Sequence, residues 1–186
     1  RKERHETITP VVPTVTSSVS DNCSESLIDF GGGIAMRVRV YDDGAAYRWE
    51  SDLSAKAITV DAEKTALAFA EDYRLYYPAP NGKGFFSHQE CGFNPVKVSK
   101  TKGRKTACVP LLVELGDGMY LVFTDVNVEG YPGTWVDGTA DRTLPVVFPR
   151  CPAATKLKGD RNLTVTKREP FLAKTVGTRA FPWRAF

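Results

Sequence analysis

The chain of 186 residues is poor in the residue types from which metal and nucleophile sites are built. It has two histidines, His5 and His88, and four cysteines, Cys23, Cys91, Cys108 and Cys151. None of the cysteines forms a Cys-x-x-Cys pair, and two histidines add little, so a zinc centre is poorly supported. There is no Ser-His-Asp grouping, no His-Glu-x-x-His and no nucleotide fingerprint. Gly31-Gly32-Gly33 reads as a connector, because no helix start follows it and a phosphate cradle needs one. No apolar run approaches the ~20 residues that cross a bilayer as a helix. Neither charge sign dominates: 25 Lys and Arg against 22 Asp and Glu leave a net +3, which implies neither a nucleic-acid nor a membrane partner. Repeats and low-complexity tracts are absent. The glycines and prolines, 15 and 12, are scattered, which favours frequent turns over long helices.

What is present is strand alternation. In Ile34 to Glu50, Met36, Val38 and Val40 fall on one face and Arg37, Arg39 and Tyr41 on the other. This is the period of a half-buried strand. Asp43-Gly44 then turns the chain through a positive φ, and a second run puts Tyr47 and Trp49 opposite Arg48. Val109–Leu115 and Met119–Asp125 read as another hairpin, turning at 116–118. Further strands are expected at 57–60, 96–98, 144–148, 163–167 and 172–176. Residues 65–70 read as a strand, with a short helix over 62–72 as the alternative. Thr101 to Thr106 reads as a basic hairpin tip. Regular strands separated by turns predict an all-β, antiparallel β-sandwich with little helix. Residues 1–26 form an arm or edge strands, 27–178 the sandwich, and 179–186 a separate terminal stretch. Cys91 and Cys108 flank a polar segment and would close a useful loop as a disulfide. Four separate thiols is the competing reading.

Three blocks carry a resemblance: Arg37-Val-Arg-Val-Tyr-Asp-Asp-Gly-Ala-Ala-Tyr-Arg-Trp49; Pro110-Leu-Leu-Val with Gly118-Met-Tyr-Leu-Val-Phe-Thr-Asp125 and Tyr131-Pro-Gly133; and Gly177-Thr-Arg-Ala-Phe-Pro-Trp-Arg184. In this order and spacing they resemble the N-terminal domain of glycoside hydrolase family 97. The resemblance implies a galactose-mutarotase-like supersandwich. It makes 179–186 the junction toward a catalytic (β/α) barrel that this chain does not contain, and implies that the chain is a piece of a longer enzyme. The implied substrates of the parent are α-linked oligosaccharides, and the implied setting is the periplasm or exterior of a bacterium. No signal peptide is visible in this chain.

The resemblance also assigns residues. Asp125 stands where the family has a Glu that helps bind calcium together with carboxylates of the barrel. It is one methylene shorter, which sets its oxygens back by roughly 1.5 Å. Calcium takes six to eight oxygen ligands, so Asp125 without the barrel would be a solvated acid. Glu90, with Gln89 and His88, falls near a family Glu at the domain interface and is a candidate carbohydrate or interface residue; a polar loop is the bland reading. Tyr73, Tyr76, Tyr77, Phe85 and Phe86 could form a sugar-stacking platform or pack as a loop on the sandwich, and Trp135 has the same two readings. Lys97, Lys100, Lys102, Arg104 and Lys105 read as a solvated basic tip rather than a polyanion site, since no aromatics alternate with them. The paired carboxyl groups that glycoside hydrolysis needs would lie in the barrel. The isolated chain is therefore expected to be inactive, to pack on the barrel, and to bind calcium only with it. A stand-alone carbohydrate-binding or protein-interaction sandwich is the alternative.

Overall fold

The computed structural model describes residues 1–12, 15–80, 85, 89–160 and 162–186. The first strands are β1 (Lys2–Ile8), β2 (Val19–Asp29), β3 (Ile34–Val40), β4 (Ala45–Asp52), β5 (Ile58–Val60) and β6 (Thr65–Ala68). β7 (Arg74–Tyr77), β8 (Asn94–Lys97), β9 (Ala107–Cys108), β10 (Leu111–Gly116) and β11 (Met119–Val126) follow. The chain closes with β12 (Trp135–Val136), β13 (Thr143–Val147), β14 (Pro152–Lys158), β15 (Asn162–Arg168), β16 (Ala173–Thr175), β17 (Thr178–Ala180) and β18 (Trp183–Ala185). Among the described residues the only helical element is a 3-10 turn, Val98–Lys100.

A ten-stranded sheet runs β1-β2-β3-β4-β18-β11-β10-β7-β8, with β17 also paired to β4. A four-stranded sheet, β6-β13-β12-β9, packs on part of it. β14-β15 and β16-β5 are separate two-stranded ribbons. The strand pairs are antiparallel, as expected for a sandwich of hairpins. Leu75, Tyr77, Leu111, Val113 and Phe123 from the large sheet meet Leu67, Val136, Leu144 and Val146 from the small one, and these residues form the buried core. Burial alternates along β10 with Leu111 and Val113 facing in, because side chains alternate across a strand.

The hairpin read from sequence is present. Met36 pairs with Trp49 and Val38 with Tyr47 on one face, and Arg37 with Arg48 on the other. Its turn differs in mechanism. Gly44 does not take a positive φ; it makes room, because a Cβ there would lie 2.6 Å from the Phe186 carbonyl oxygen. The connector at 31–33 is where positive φ is used, at 78°, 62° and 78°. Within residues 1–26, read as an arm or edge strands, β1 and most of β2 are found, paired residue by residue from Lys2↔Glu25 to Ile8↔Val19. The terminal stretch is drawn into the large sheet as well, with β18 lying between β4 and β11.

Val98, expected at the end of a strand, sits in the 3-10 turn. Asp72 captures Ser99 there, accepting from its backbone N (2.9 Å) and its Oγ (2.9 Å), and this local capture competes with the ladder. Residues 101–106 link the 3-10 turn to β9, which pairs with β12 rather than β8, so they are a crossover and not a hairpin tip.

Candidate functional site

The FPWR stretch joins two polar clusters, because β18 presents alternate residues to opposite faces of the large sheet. Arg184 points inward and is 1% exposed. Its Nε and Nη2 donate to Glu63 Oε1 (3.2 Å) and Oε2 (2.9 Å). Tyr131 OH donates to the same Oε2 at 3.0 Å. The guanidinium also lies 4.9 Å from the Phe148 ring centroid. Burial, and then the Glu63 charge, push the Tyr131 phenol far up, so it stays a hydrogen-bond donor.

Trp183 points outward and is held between two guanidinium groups, Arg39 at 4.9 Å and Arg48 at 4.6 Å from its ring. These belong to a network over β1–β4. Glu25, 2% exposed, accepts from Arg37 (2.8 Å) and Arg39 (2.9 Å) and pairs with Lys2 (3.1 Å). Glu50 accepts from Arg37 at 2.6 Å and from Arg48 at 2.8 Å. Asp21 accepts from Tyr41 OH at 2.9 Å and from Arg4 at 3.2 Å. Burial alone would raise Glu25, but the bonds from Lys2, Arg39 and Arg37 outweigh it and hold its carboxyl down at about 2. The bonds from Arg37 lower Glu50 as well. Sequence reading gave no role to Glu63 or to the inward side of Arg184. Glu63 lies in a polar segment with no periodicity to mark it, and only the tertiary fold brings it to a partner 121 residues away.

Asp125, one residue from the end of β11, is half-buried and stands opposite Arg184 in the ladder. Its Oδ2 accepts the Thr134 backbone N–H at 2.7 Å, which fastens the 130s loop to the sheet. Glu90 is exposed in an irregular segment and enters no ion pair among the described residues. No hydrogen bond joins it to Asp125. His88 and Phe86 lie outside the described residues. No group of three or more His, Cys, Asp or Glu positioned to hold a metal occurs among the described residues. Asp125 with one oxygen committed to Thr134 does not make a calcium site by itself.

Of the aromatic stretch, the described Tyr73, Tyr76 and Phe85 are half-buried and Tyr77 is buried. Tyr77 is buried with its OH donating to the Val136 carbonyl at 3.3 Å, and Tyr73 packs edge-on against Phe69. Trp135 is buried under Phe85, so it offers no face to a sugar. Lys102, Arg104 and Lys105 are exposed, and Lys97 donates to the Asp72 carbonyl at 2.8 Å. The four cysteines are free thiols. Cys108 donates to the Pro78 carbonyl at 3.4 Å, and burial, followed by the neighbouring Cys91, pushes its thiol up. No helix is long and apolar enough to cross a membrane.

A cleft of about 830 Å3 opens beside Glu63 and Tyr131, between β4, β5 and the segment entering β18. Trp49 and Phe181 line it.

Comparison with known proteins places this geometry. The family model described as "Glycosyl-hydrolase 97 N-terminal" matches residues 1–186. A protein named retaining alpha-galactosidase, from Bacteroides thetaiotaomicron, is 31% identical over 157 residues, which span 78% of this chain and 23% of that protein. Among solved structures, a glycoside hydrolase family 97 enzyme in complex with acarbose, from Pseudoalteromonas sp. strain K8, superposes with a TM-score of 0.71 at 14% identity, covering 99% of this chain and 26% of that one. The crystal structure of a beta-arabinopyranosidase gives a TM-score of 0.74 at 16% identity, covering 99% and 30%. The chain thus spans about a quarter of the length of the relatives it matches.

Proposed function

The chain belongs to the glycosyl-hydrolase 97 N-terminal family, and from that premise we propose that it is the non-catalytic domain that docks on the catalytic barrel of a glycoside hydrolase and closes one side of its sugar pocket. The matching model, described as N-terminal, and the chain's span of about a quarter of its relatives support the non-catalytic reading above all, and the displaced carboxyls agree with it. A glycosidase general acid needs a raised carboxyl pKa. Here Glu3, Glu25, Glu50, Asp72 and Asp141, the described carboxyls displaced from their ordinary values, are all displaced downward by cations or hydrogen-bond donors. Such groups stay ionised and hold structure; they do not deliver protons to a leaving group.

The substrate class we propose for the whole protein is α-linked oligosaccharide, on the strength of the relative named as an alpha-galactosidase. An exported, periplasmic setting belongs to the same proposal on family grounds alone. Calcium binding is proposed only for the whole enzyme. Asp125 would supply a single carboxylate oxygen, and its other oxygen would keep the 130s loop in place.

The test uses the parent enzyme. Asp125→Asn keeps an acceptor for the Thr134 N–H but removes the charge. It should weaken calcium at least tenfold by calorimetry while leaving the melting temperature of the calcium-free protein in place. Asp42→Ala, an exposed acid in the hairpin turn, is the control. Equal affinities in the two variants would remove Asp125 from the site. Turnover of an aryl α-glycoside by the isolated chain would overturn the non-catalytic reading.

A further inference from the structure

We propose that the cleft beside Glu63 is a saccharide site carried by this chain itself, built to take one uncharged pyranose ring against Trp49. Of the aromatics at 73–86, the described Tyr73, Tyr77 and Phe85 are engaged in packing, as described above. The cleft has what that stretch lacks. Its volume of about 830 Å3 exceeds the need of a single sugar, and it is open to solvent along one side. Trp49, Tyr131 and Phe181 give it aromatic walls, with Phe181 edge-on to Tyr131 at 5.5 Å between centroids. Phe30, more than half exposed, leans on Trp49 at 5.6 Å and extends the wall outward. Aromatic faces pair with the C–H faces of pyranose rings, and partly exposed rings suit a wet ligand.

The polar groups of the cleft argue for a neutral, hydroxyl-bearing ligand. Two acids present their carboxylates to it, Asp61 and Glu63, with one base, Lys64; Glu50 borders it too, but its carboxylate lies on the Arg37 and Arg48 face of β4, opposite to Trp49. Glu50 is neutralised by Arg37 and Arg48, and Glu63 by Arg184. Asp61 and Lys64, both exposed at the mouth, offset each other. No net charge is left to call for an ion. What remains is hydrogen-bonding capacity. An ionised carboxylate has about four acceptor positions, and Glu63 uses three of them on Arg184 and Tyr131. The fourth suits a hydroxyl donor.

Ser51 is the second, independent observation. It is 4% exposed, lines the cleft on the same strand face as Trp49, and its Oγ has no hydrogen-bond partner. A buried hydroxyl without a partner costs stability; the Oγ itself has almost no accessible surface, so a ligand hydroxyl would reach it only as the cleft wall around β4 shifts.

This inference rests on the glycoside-hydrolase reading only for the supply of saccharide. The two tests are separate, because this one uses the isolated chain without calcium. Maltotriose and raffinose serve as α-glucosyl and α-galactosyl probes, followed by tryptophan emission and by calorimetry. At least one should give a saturable isotherm. Trp49→Ala should lower its affinity at least tenfold. Ser51→Ala should lower it about fivefold without lowering the melting temperature of the free chain, since it removes an unpartnered group. That combination is one a structural role for Ser51 would not produce. Silence from both sugars, or equal affinity across parent and variants, overturns the proposal. So does saturation of the cleft by the anionic aromatic dye 1-anilinonaphthalene-8-sulfonate, lost in Trp49→Ala, with both sugars silent; that result would make the cleft a surface for apolar groups.

Discussion

Glu63 and Arg184 show how a single buried pair ties remote segments together. Both are nearly inaccessible, and removing one partner strands the other as an unpaired buried charge. Glu63→Ala or Arg184→Ala should therefore cost about 3–5 kcal/mol in urea unfolding. Replacing both with apolar residues of similar volume should recover most of that loss, because the desolvation penalty of the pair is removed with it. If the double replacement is as unstable as the singles, the pair is held for reasons other than its charges. Glu25 gives a pH signature. Its carboxyl is ordinarily near 4.5 and is held down to about 2 in the folded chain. A depressed acid adds stability above its unfolded value, and that stability is lost as pH falls through the folded one. The melting temperature should decline between pH 4.5 and 2, and Glu25→Gln should both lower it at pH 7 and flatten that decline. The contribution at neutral pH is about 3.5 kcal/mol, since the two values differ by about 2.5 and one pKa unit is worth about 1.4. A parallel decline in the variant would assign the acid loss to other carboxyls.

At the scale of elements, β18 decides the most. It is three residues long, yet it joins β1–β4 to β11-β10-β7-β8. Its neighbour Phe186 extends the join: the ring stacks on Tyr47 at 6.0 Å and packs on Phe123 at 5.3 Å, and the backbone exchanges bonds with Ala45. Inside, Arg184 is locked to Glu63; outside, Trp183 is clamped by Arg39 and Arg48. Deleting residues 181–186 should therefore do more than trim a tail. It exposes the facing edges of β4 and β11 and opens the core at Phe123. Near-UV circular dichroism of the truncated chain should lose its fixed aromatic signal. A cooperative melt at the parental temperature would show that the two halves hold without the strand. The elements that sequence reading missed are short or polar. β9 and β12 have two residues each, too few to show a period; β1, which falls in the stretch read as an arm or edge strands, is Lys-Glu-Arg-His-Glu-Thr-Ile with no apolar face.

For the whole molecule, the two layers are unequal. Four strands cannot cover ten, and the core lies where they overlap. Beyond that overlap, Ile28, Ile34 and Val40 remain exposed on β2 and β3, and Phe30 in the connector between them. The β14-β15 ribbon stands apart from both sheets, with β14 exposed along its whole length. An isolated two-stranded ribbon is marginal in water. Amide exchange should accordingly divide the molecule. β10, β11 and β7 should be the slowest, and β14-β15 and the edge strand β1 should exchange at least a hundredfold faster. Uniform protection across these strands would mean that the ribbon and the edge are held by more than their own ladders.

What the sequence alone determined is whatever is local in cause. The period of two in Met36–Val40 and in Val109–Leu115, broken by Gly and Asp turns, dictated antiparallel strands, and three spaced blocks were enough for the family. Those signals depend only on neighbours in the chain. The tertiary structure decided which strands are adjacent, and with that every charge partner. Arg37 and Arg39 read as one polar face, but their carboxylates arrive from β2 and β4. Asp125 read as a free acid at a strand end, and the loop carrying Thr134 claims one of its oxygens. The cleft at Trp49 is made by segments of β4, β5 and the run into β18, more than a hundred residues apart. No periodicity encodes such a meeting, because it follows from the order of strands in the sheet rather than from the order of residues in the chain.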